Sequence, residues 1–137
     1  MDEGEGGLGT GVRKGVVYPE LSYQIVGALF DVSNELGSGH LEKIYQRAVA
    51  EALRKRGISF VEQVPFDIVF QETKVGVYIL DFLIEGKIVL EIKQGDRFRR
   101  TNMDQVNAYL RLTGCKLALL ANFTSDGVKS RRLVNLH

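Results

Sequence analysis

The sequence has few of the residues that mark secreted, disulfide-bonded or membrane proteins. Cys115 is the only cysteine among 137 residues, and tryptophan is absent. A lone cysteine cannot form an internal disulfide, which favours a reducing compartment. No apolar run approaches the roughly 20 residues of a membrane-spanning helix. The first residues, MDEGEGGLG, lack the basic and apolar regions of a signal peptide. We therefore expect a cytoplasmic protein with no membrane partner.

An excess of charge of one sign is also lacking. The chain carries 18 Lys and Arg against 17 Asp and Glu, a net charge of +1. No global field therefore directs it to nucleic acid or to a membrane surface, and any cationic binding surface must be local. Its length and its 45% of hydrophobic residues suit one domain with its own core. We expect residues 1–17 to form a flexible, glycine-rich tail and residues 18–137 to form that domain.

Hydrophobic periodicity predicts an α/β domain. Helical spacing covers residues 21–36, 40–56 and 101–113, whereas strand patterns cover residues 58–63, 66–70, 77–84, 88–93, 116–123 and 130–136. Pro65 predicts either a break between the first two strand segments or a strand at the edge of the sheet. The closely spaced early strands indicate an antiparallel meander, and the third helix suits a parallel crossover. The expected fold is a mixed β-sheet flanked by helices.

The stretch DFLIEGKIVLEIK (81–93) places three charged side chains on two apolar strands. Asp81, Glu91 and Lys93 all fall at odd-numbered positions, whereas the even-numbered positions of both strands are apolar. Because side chains alternate between the two faces of a strand, the charged groups should converge on one polar face. The apolar set should face the core.

The length of the turn between the two strands decides whether their apolar side chains lie on the same face of the sheet. A three-residue loop at residues 85–87, or a bulge at Gly86, places Ile84 opposite Ile88. In that register Asp81 lies opposite Glu91, and Leu80 shares the core face with Leu90. A two-residue loop would put the two apolar sets on opposite faces, so burial favours the longer loop.

Two carboxylates that face each other repel unless a cation lies between them. Their oxygen ligands suit Mg²⁺ or Mn²⁺. Lys93 on the same face can stabilise a phosphate or position an attacking water. The simpler alternative is a half-exposed sheet face with a salt bridge between Lys93 and a carboxylate, and an E-x-K pattern alone favours it.

Further motifs give the pattern more weight. GHLEKIY contains the spacing G-x-x-E-x-x-Y, and QVNAY places a glutamine and a tyrosine four residues apart on one helical face. The motif residues, in chain order, are Gly39, Glu42, Tyr45, Asp81, Glu91, Ile92, Lys93, Gln105 and Tyr109. This sequence resembles the GxxExxY protein family, which is counted among the PD-(D/E)XK nuclease-like folds. The resemblance covers roughly residues 20–136 and implies that fold, with one extra N-terminal helix.

The resemblance implies metal-dependent hydrolysis of phosphodiester bonds, with Mg or Mn as the cofactor. The implied metal ligands are Asp81, Glu91 and the backbone carbonyl of Ile92, and the implied catalytic residues are Lys93, Glu42 and Gln105. Tyr45 and Tyr109 could contact the substrate or could be packing residues. A catalytically inactive module that binds nucleic acid or protein on the same fold is the alternative.

Three short basic clusters could guide nucleic acid, at residues 54–56, 97–100 and 129–132. The first suits the end of a helix, where cations are favoured in any case. The second follows Lys93 closely, so we expect Arg97, Arg99 and Arg100 to contact phosphates. The expected partner is nucleic acid, with DNA favoured over RNA. Since the chain has no separate specificity domain, a partner protein or a homodimer could supply one.

Overall fold

The computed structural model describes residues 17–135. Within this range lie α1 (Pro19–Leu36), α2 (Glu42–Lys55), β1 (Phe60–Phe70), β2 (Thr73–Ile84), β3 (Ile88–Gln94), α3 (Arg100–Thr113), β4 (Leu117–Thr124) and β5 (Gly127–Val134). The predicted tail, apart from Val17, lies outside the described residues, as do the last two residues of the chain. In the part that is described, no helix combines the length and the apolar character needed to cross a membrane.

The five strands form one sheet in the order β1-β2-β3-β4-β5. All neighbouring strands are antiparallel except β3 and β4, which are parallel and connected through α3. The predicted α/β fold with a mixed, helix-flanked sheet is confirmed. Pro65 lies inside a continuous β1 at the edge of the sheet, where its missing N–H costs no ladder bond. The prediction of an edge strand is therefore confirmed, and the prediction of a break at Pro65 is wrong.

The hairpin between β2 and β3 has the register that burial favoured. Ile84 pairs with Ile88, and the three-residue loop between them is closed by a hydrogen bond from the Lys87 N–H to the Ile84 carbonyl at 2.9 Å. Glu85 and Gly86 have left-handed φ angles of 51° and 66°. Glycine adopts this conformation without strain, and Glu85 tolerates it in a tight turn.

Helices cover both faces of the sheet. One core cluster joins α1 and α2 to the sheet through Ile25, Leu53 and Leu90, and these side chains are fully buried. A second cluster joins α3 to the opposite face through Val106 and Val89. The odd-numbered face of the hairpin is therefore not simply polar, because Val89 lies within the α3 core.

β2 exchanges its two faces at Asp81. Phe82 packs in the α1/α2 core, whereas Leu80 packs in the α3 core, although both positions are even-numbered. Asp81 and Gln63 are missing from the β1–β2 ladder, and Gln63 has a positive φ of 52°. The prediction that Leu80 and Leu90 share one core face is wrong. The local distortion at Asp81 and Gln63 interrupts the regular alternation of side chains between the two faces of β2.

Candidate active site

Asp81 and Glu91 lie just where the β2–β3 ladder stops, and their carboxylates replace its hydrogen bonds. The Asp81 backbone N–H donates to Glu91 Oε1 at 3.2 Å, and the Ile92 N–H donates to Asp81 Oδ2 at 2.8 Å. Each carboxylate is thus held by the backbone of the opposite strand. Asp81 is 8% exposed and Glu91 is 3% exposed. The hairpin therefore holds two acidic groups together and largely out of water.

Burial raises the pKa of both carboxyl groups. Desolvation, and then the charge of Asp81, raises the pKa of Glu91 to about 8. Desolvation also raises the pKa of Asp81 to about 6, although the hydrogen bond from the Ile92 N–H opposes this shift. Without a further cation the pair therefore carries less than its full negative charge at neutral pH. Such a perturbed, paired site is typical of a functional centre.

Lys93 supplies one positive charge to this pair. Its Nζ lies 3.8 Å from Glu91 Oε2, and 21% of its side chain is exposed. This separation makes an ion pair and is too long for a hydrogen bond. The salt bridge of the simpler alternative is therefore present. One ammonium at this distance nevertheless leaves the pKa of both carboxyl groups raised.

Helix α2 presents two polar side chains toward Asp81. Glu42 is its first residue and is half-buried, and its charge raises the pKa of both Asp81 and Glu91. Gln46, one turn later, lies close enough to the Asp81 carboxylate to lower its pKa. The sequence interpretation missed Gln46. Its spacing of four residues from Glu42 was the available signal, since such residues share one helical face.

Helix α3 places Tyr109 beside the same carboxylates. Its hydroxyl donates a long hydrogen bond of 3.4 Å to the Ile79 carbonyl, and only 2% of the residue is exposed. Burial and the charges of Glu91 and Asp81 raise the pKa of Tyr109. Direct contact with nucleic acid at the surface, as predicted, does not fit this burial. Gln105, one turn earlier, is half-buried, and its role remains a prediction.

Tyr45 is a packing residue. It is fully buried, its hydroxyl donates to the Gly37 carbonyl at 2.7 Å, and its ring stacks on Phe123 with a centroid distance of 4.1 Å. The prediction of a nucleic-acid contact is wrong, because the ring and hydroxyl are both occupied inside the α1/α2 core. The packing alternative is right.

The donors in this region fit a small, hard divalent cation. Asp81 and Glu91 offer carboxylate oxygens. Ile92 directs its N–H toward β2, and its carbonyl points the same way because both groups of a strand residue face one neighbour. Among the described residues, no group of three or more His, Cys, Asp or Glu side chains could hold a metal. Two carboxylates and a carbonyl therefore leave positions for water, which Mg²⁺ retains readily.

A cationic surface lies on the segment between β3 and α3. Arg97 and Arg99 are exposed on this segment, and Arg100 is exposed at the first position of α3. The guanidinium of Arg131, on β5, lies over the Phe98 ring at 4.5 Å from its centroid. This cation–π contact brings the third basic cluster of the sequence beside the second. These four arginines form the cationic loop surface, which follows Lys93 along the chain.

Comparison with known proteins agrees with this architecture. The model of the PD-(D/E)XK nuclease superfamily matches residues 19–133. The crystal structure of SSO0001 is similar in fold, with a TM-score of 0.54 and 21% sequence identity over 85% of this chain. The match spans 59% of the SSO0001 chain, so it supports the fold alone. No curated protein matches the sequence. Because the family match covers most of its length, the chain belongs to the PD-(D/E)XK nuclease superfamily.

Proposed function

We propose that this chain is a nuclease of the GxxExxY type that requires Mg²⁺ or Mn²⁺ and hydrolyses phosphodiester bonds in nucleic acid. The observation that carries this proposal is the buried pair of Asp81 and Glu91. Burial of two like charges is costly and gives no stability that an apolar pair would not give. A cation bound between them would offset the cost, and nucleases of this superfamily generally use divalent metal ions.

Asp81, Glu91 and the Ile92 carbonyl would hold the cation. When bound, it would lower the pKa of a water molecule and polarise the phosphoryl oxygen. The chain itself orients the ligands, since the Ile92 N–H donates to the Asp81 carboxylate and the Asp81 N–H donates to the Glu91 carboxylate. Lys93 would add positive charge where the transition state gains negative charge.

The remaining predicted residues complete the proposal around this centre. Glu42 would act through its charge on the two carboxylates, and Gln105 would orient groups from α3. The cationic loop surface would hold the phosphate backbone without regard to sequence. DNA is the first substrate to test, before RNA. We place the activity in the cytoplasm, where a partner protein or a second copy could add specificity.

The decisive experiment is cleavage of single-stranded and duplex DNA and RNA with Mg²⁺, Mn²⁺ or EDTA. Asp81→Asn keeps the shape of the side chain but is a poorer ligand for a hard cation. Asp67→Asn is the matched control, because Asp67 is exposed on β1 and pairs with Lys74 at 3.3 Å.

We expect metal-dependent cleavage by the wild type and by Asp67→Asn, and none by Asp81→Asn. Activity of Asp81→Asn equal to that of the control would refute the assigned site. An absence of cleavage by the wild type, together with binding that EDTA does not change, would instead identify an inactive binding module.

A further inference from the structure

Asn122 of β4 is a buried polar residue that the proposed mechanism does not yet use. In the parallel pairing of β3 and β4 it lies opposite Lys93. Their side chains therefore leave the same face of the sheet, on strands about 4.8 Å apart. Only 1% of Asn122 is exposed. An amide in this position has no solvent with which to satisfy its hydrogen bonds.

Both amide hydrogens of Asn122 are committed to the segment between β3 and α3. Nδ2 donates to the Gly95 carbonyl at 3.0 Å and to the Arg97 carbonyl at 2.9 Å. Only an NH₂ group can serve two carbonyl acceptors, so the orientation of the amide is determined. Asn122 thereby anchors the backbone that presents Arg97 on the cationic loop surface.

The other end of the same amide is unsatisfied. Oδ1 of Asn122 is buried and has no hydrogen-bond partner within residues 17–135, and no other buried side-chain N or O atom of this range shares that condition. An unpaired buried acceptor costs stability and calls for a physical reason. The neighbour in register is a lysine with three N–H donors, whose Nζ lies 3.8 Å from Glu91 Oε2, an ion pair too long for a hydrogen bond.

We propose that Asn122 is a positioning residue for Lys93, with Oδ1 as the acceptor for the Lys93 ammonium when that ammonium is not paired with Glu91. The inference rests on the proposed nuclease function. A cation on Glu91 and the Lys93 ammonium repel each other at close range, so Lys93 needs a second acceptor. Asn122 offers one beside it and couples the position of Lys93 to the loop that carries Arg97.

The test compares Asn122→Ala with Asp96→Ala. Asp96 accepts a hydrogen bond from the Ser125 N–H at 2.8 Å and so anchors the same loop without facing Lys93. Loosening of the loop alone should raise KM in both variants. Loss of an acceptor for a charged donor should lower kcat about tenfold further in Asn122→Ala. Equal kcat values in the two variants would overturn the proposal.

A second readout does not depend on cleavage. The ammonium protons of Lys93 are followed by nuclear magnetic resonance with Mg²⁺ and no substrate, and the signal is assigned by its loss in Lys93→Arg. Exchange with water should be about tenfold faster in Asn122→Ala than in the wild type or Asp96→Ala. The same rate in all three proteins would refute the contact.

The two readouts separate the inference from the proposed function. A wild type that cleaves nothing refutes the nuclease, whereas the exchange rates still decide whether Asn122 holds Lys93. If Asn122→Ala does not fold, Asn122→Ser takes its place. Serine is smaller and also lacks the amide oxygen that the proposal assigns to Lys93, so the same outcomes apply.

Discussion

At the scale of single residues, the fold places an acidic pair where it is energetically unfavourable for the metal-free protein. The pKa values of Asp81 and Glu91, about 6 and about 8, lie above their ordinary values of 3.8 and 4.5. The folded state therefore binds more protons than the unfolded state between about pH 4 and pH 8. Stability from these groups is present at acid pH and is lost as the pH rises through this window.

Asp81→Asn should stabilise the metal-free protein, and more strongly at pH 8 than at pH 5. The substitution removes one desolvated charge and its repulsion with Glu91. The gain in the free energy of unfolding at pH 8 should exceed the gain at pH 5 by about 1 kcal/mol. Urea denaturation in EDTA at the two pH values measures this difference. Asp67→Asn should show no such dependence, and an equal gain at both pH values would contradict the burial argument.

Metal binding should follow the opposite pH dependence. Carboxylates bind a cation only when they have lost their protons, so the rise in melting temperature with Mn²⁺ should grow from pH 6 to pH 8. A concentration of 100 times Kd should stabilise the wild type by about 2.7 kcal/mol. Thermal melts with and without Mn²⁺ measure the effect, which Asp67→Asn should retain and Glu91→Gln should lose. If Glu91→Gln keeps the full rise in melting temperature with Mn²⁺, the metal does not bind at Asp81 and Glu91.

At the scale of elements, the sequence predicts the helices, the antiparallel meander with its parallel crossover and the β2–β3 register, because hydrophobic periodicity, connection lengths and burial determine them. Hydrophobic periodicity does not predict local distortions of a strand. The exchange of faces at Asp81 and Gln63 breaks the alternation on which the prediction for Leu80 depended. Hydrophobic periodicity also does not show what each side chain of a helix contacts. It therefore could not decide whether Tyr45 contacts the substrate or packs in the core. Gln46 was missed because its proximity to Asp81 depends on how α2 docks against the sheet.

The docking of α1 on α2 offers a test at this scale. The Arg56 guanidinium lies over Gly27, donates to Asp31 at 3.0 Å and to Gln24 at 2.8 Å. A Cβ on Gly27 would lie 2.7 Å from Arg56 Nη1, so this flexible side chain must move. Gly27→Ala gains about 1 kcal/mol of helix propensity but loses the exposed Arg56 contacts, which are worth roughly as much.

We therefore expect Gly27→Ala to be nearly neutral in the wild type and stabilising by about 1 kcal/mol in an Arg56→Ala background. Chemical denaturation of the four proteins of this double-mutant cycle measures the coupling. Strict additivity would show that the Arg56 side chain does not restrict Gly27. Because these residues belong to the contact between α1 and α2, nuclease activity should be unchanged in all four proteins.

At the scale of the whole molecule, positive charge is localised and not global. The net charge is only +1, yet Arg97, Arg99, Arg100 and Arg131 lie on segments that the contact of Arg131 with Phe98 joins. Arg54 on α2, in contrast, is partnered by two acids, Glu51 and Glu62. Binding to nucleic acid should therefore depend on one surface and not on total charge.

Two triple variants with equal loss of charge separate these possibilities. Alanine at Arg97, Arg99 and Arg100 should weaken binding to all duplex sequences alike and should flatten the slope of log K against log salt by about 2 to 3, since each phosphate contact contributes roughly 0.9. Alanine at Arg54, Lys55 and Lys74 removes an equal number of charges from α2 and β2, outside the cationic loop surface, and should leave the slope unchanged. Fluorescence anisotropy in EDTA over a salt series measures both. Equal slopes in the two variants would show that total charge drives binding, and the cationic loop surface would then have no specific role in holding the phosphate backbone.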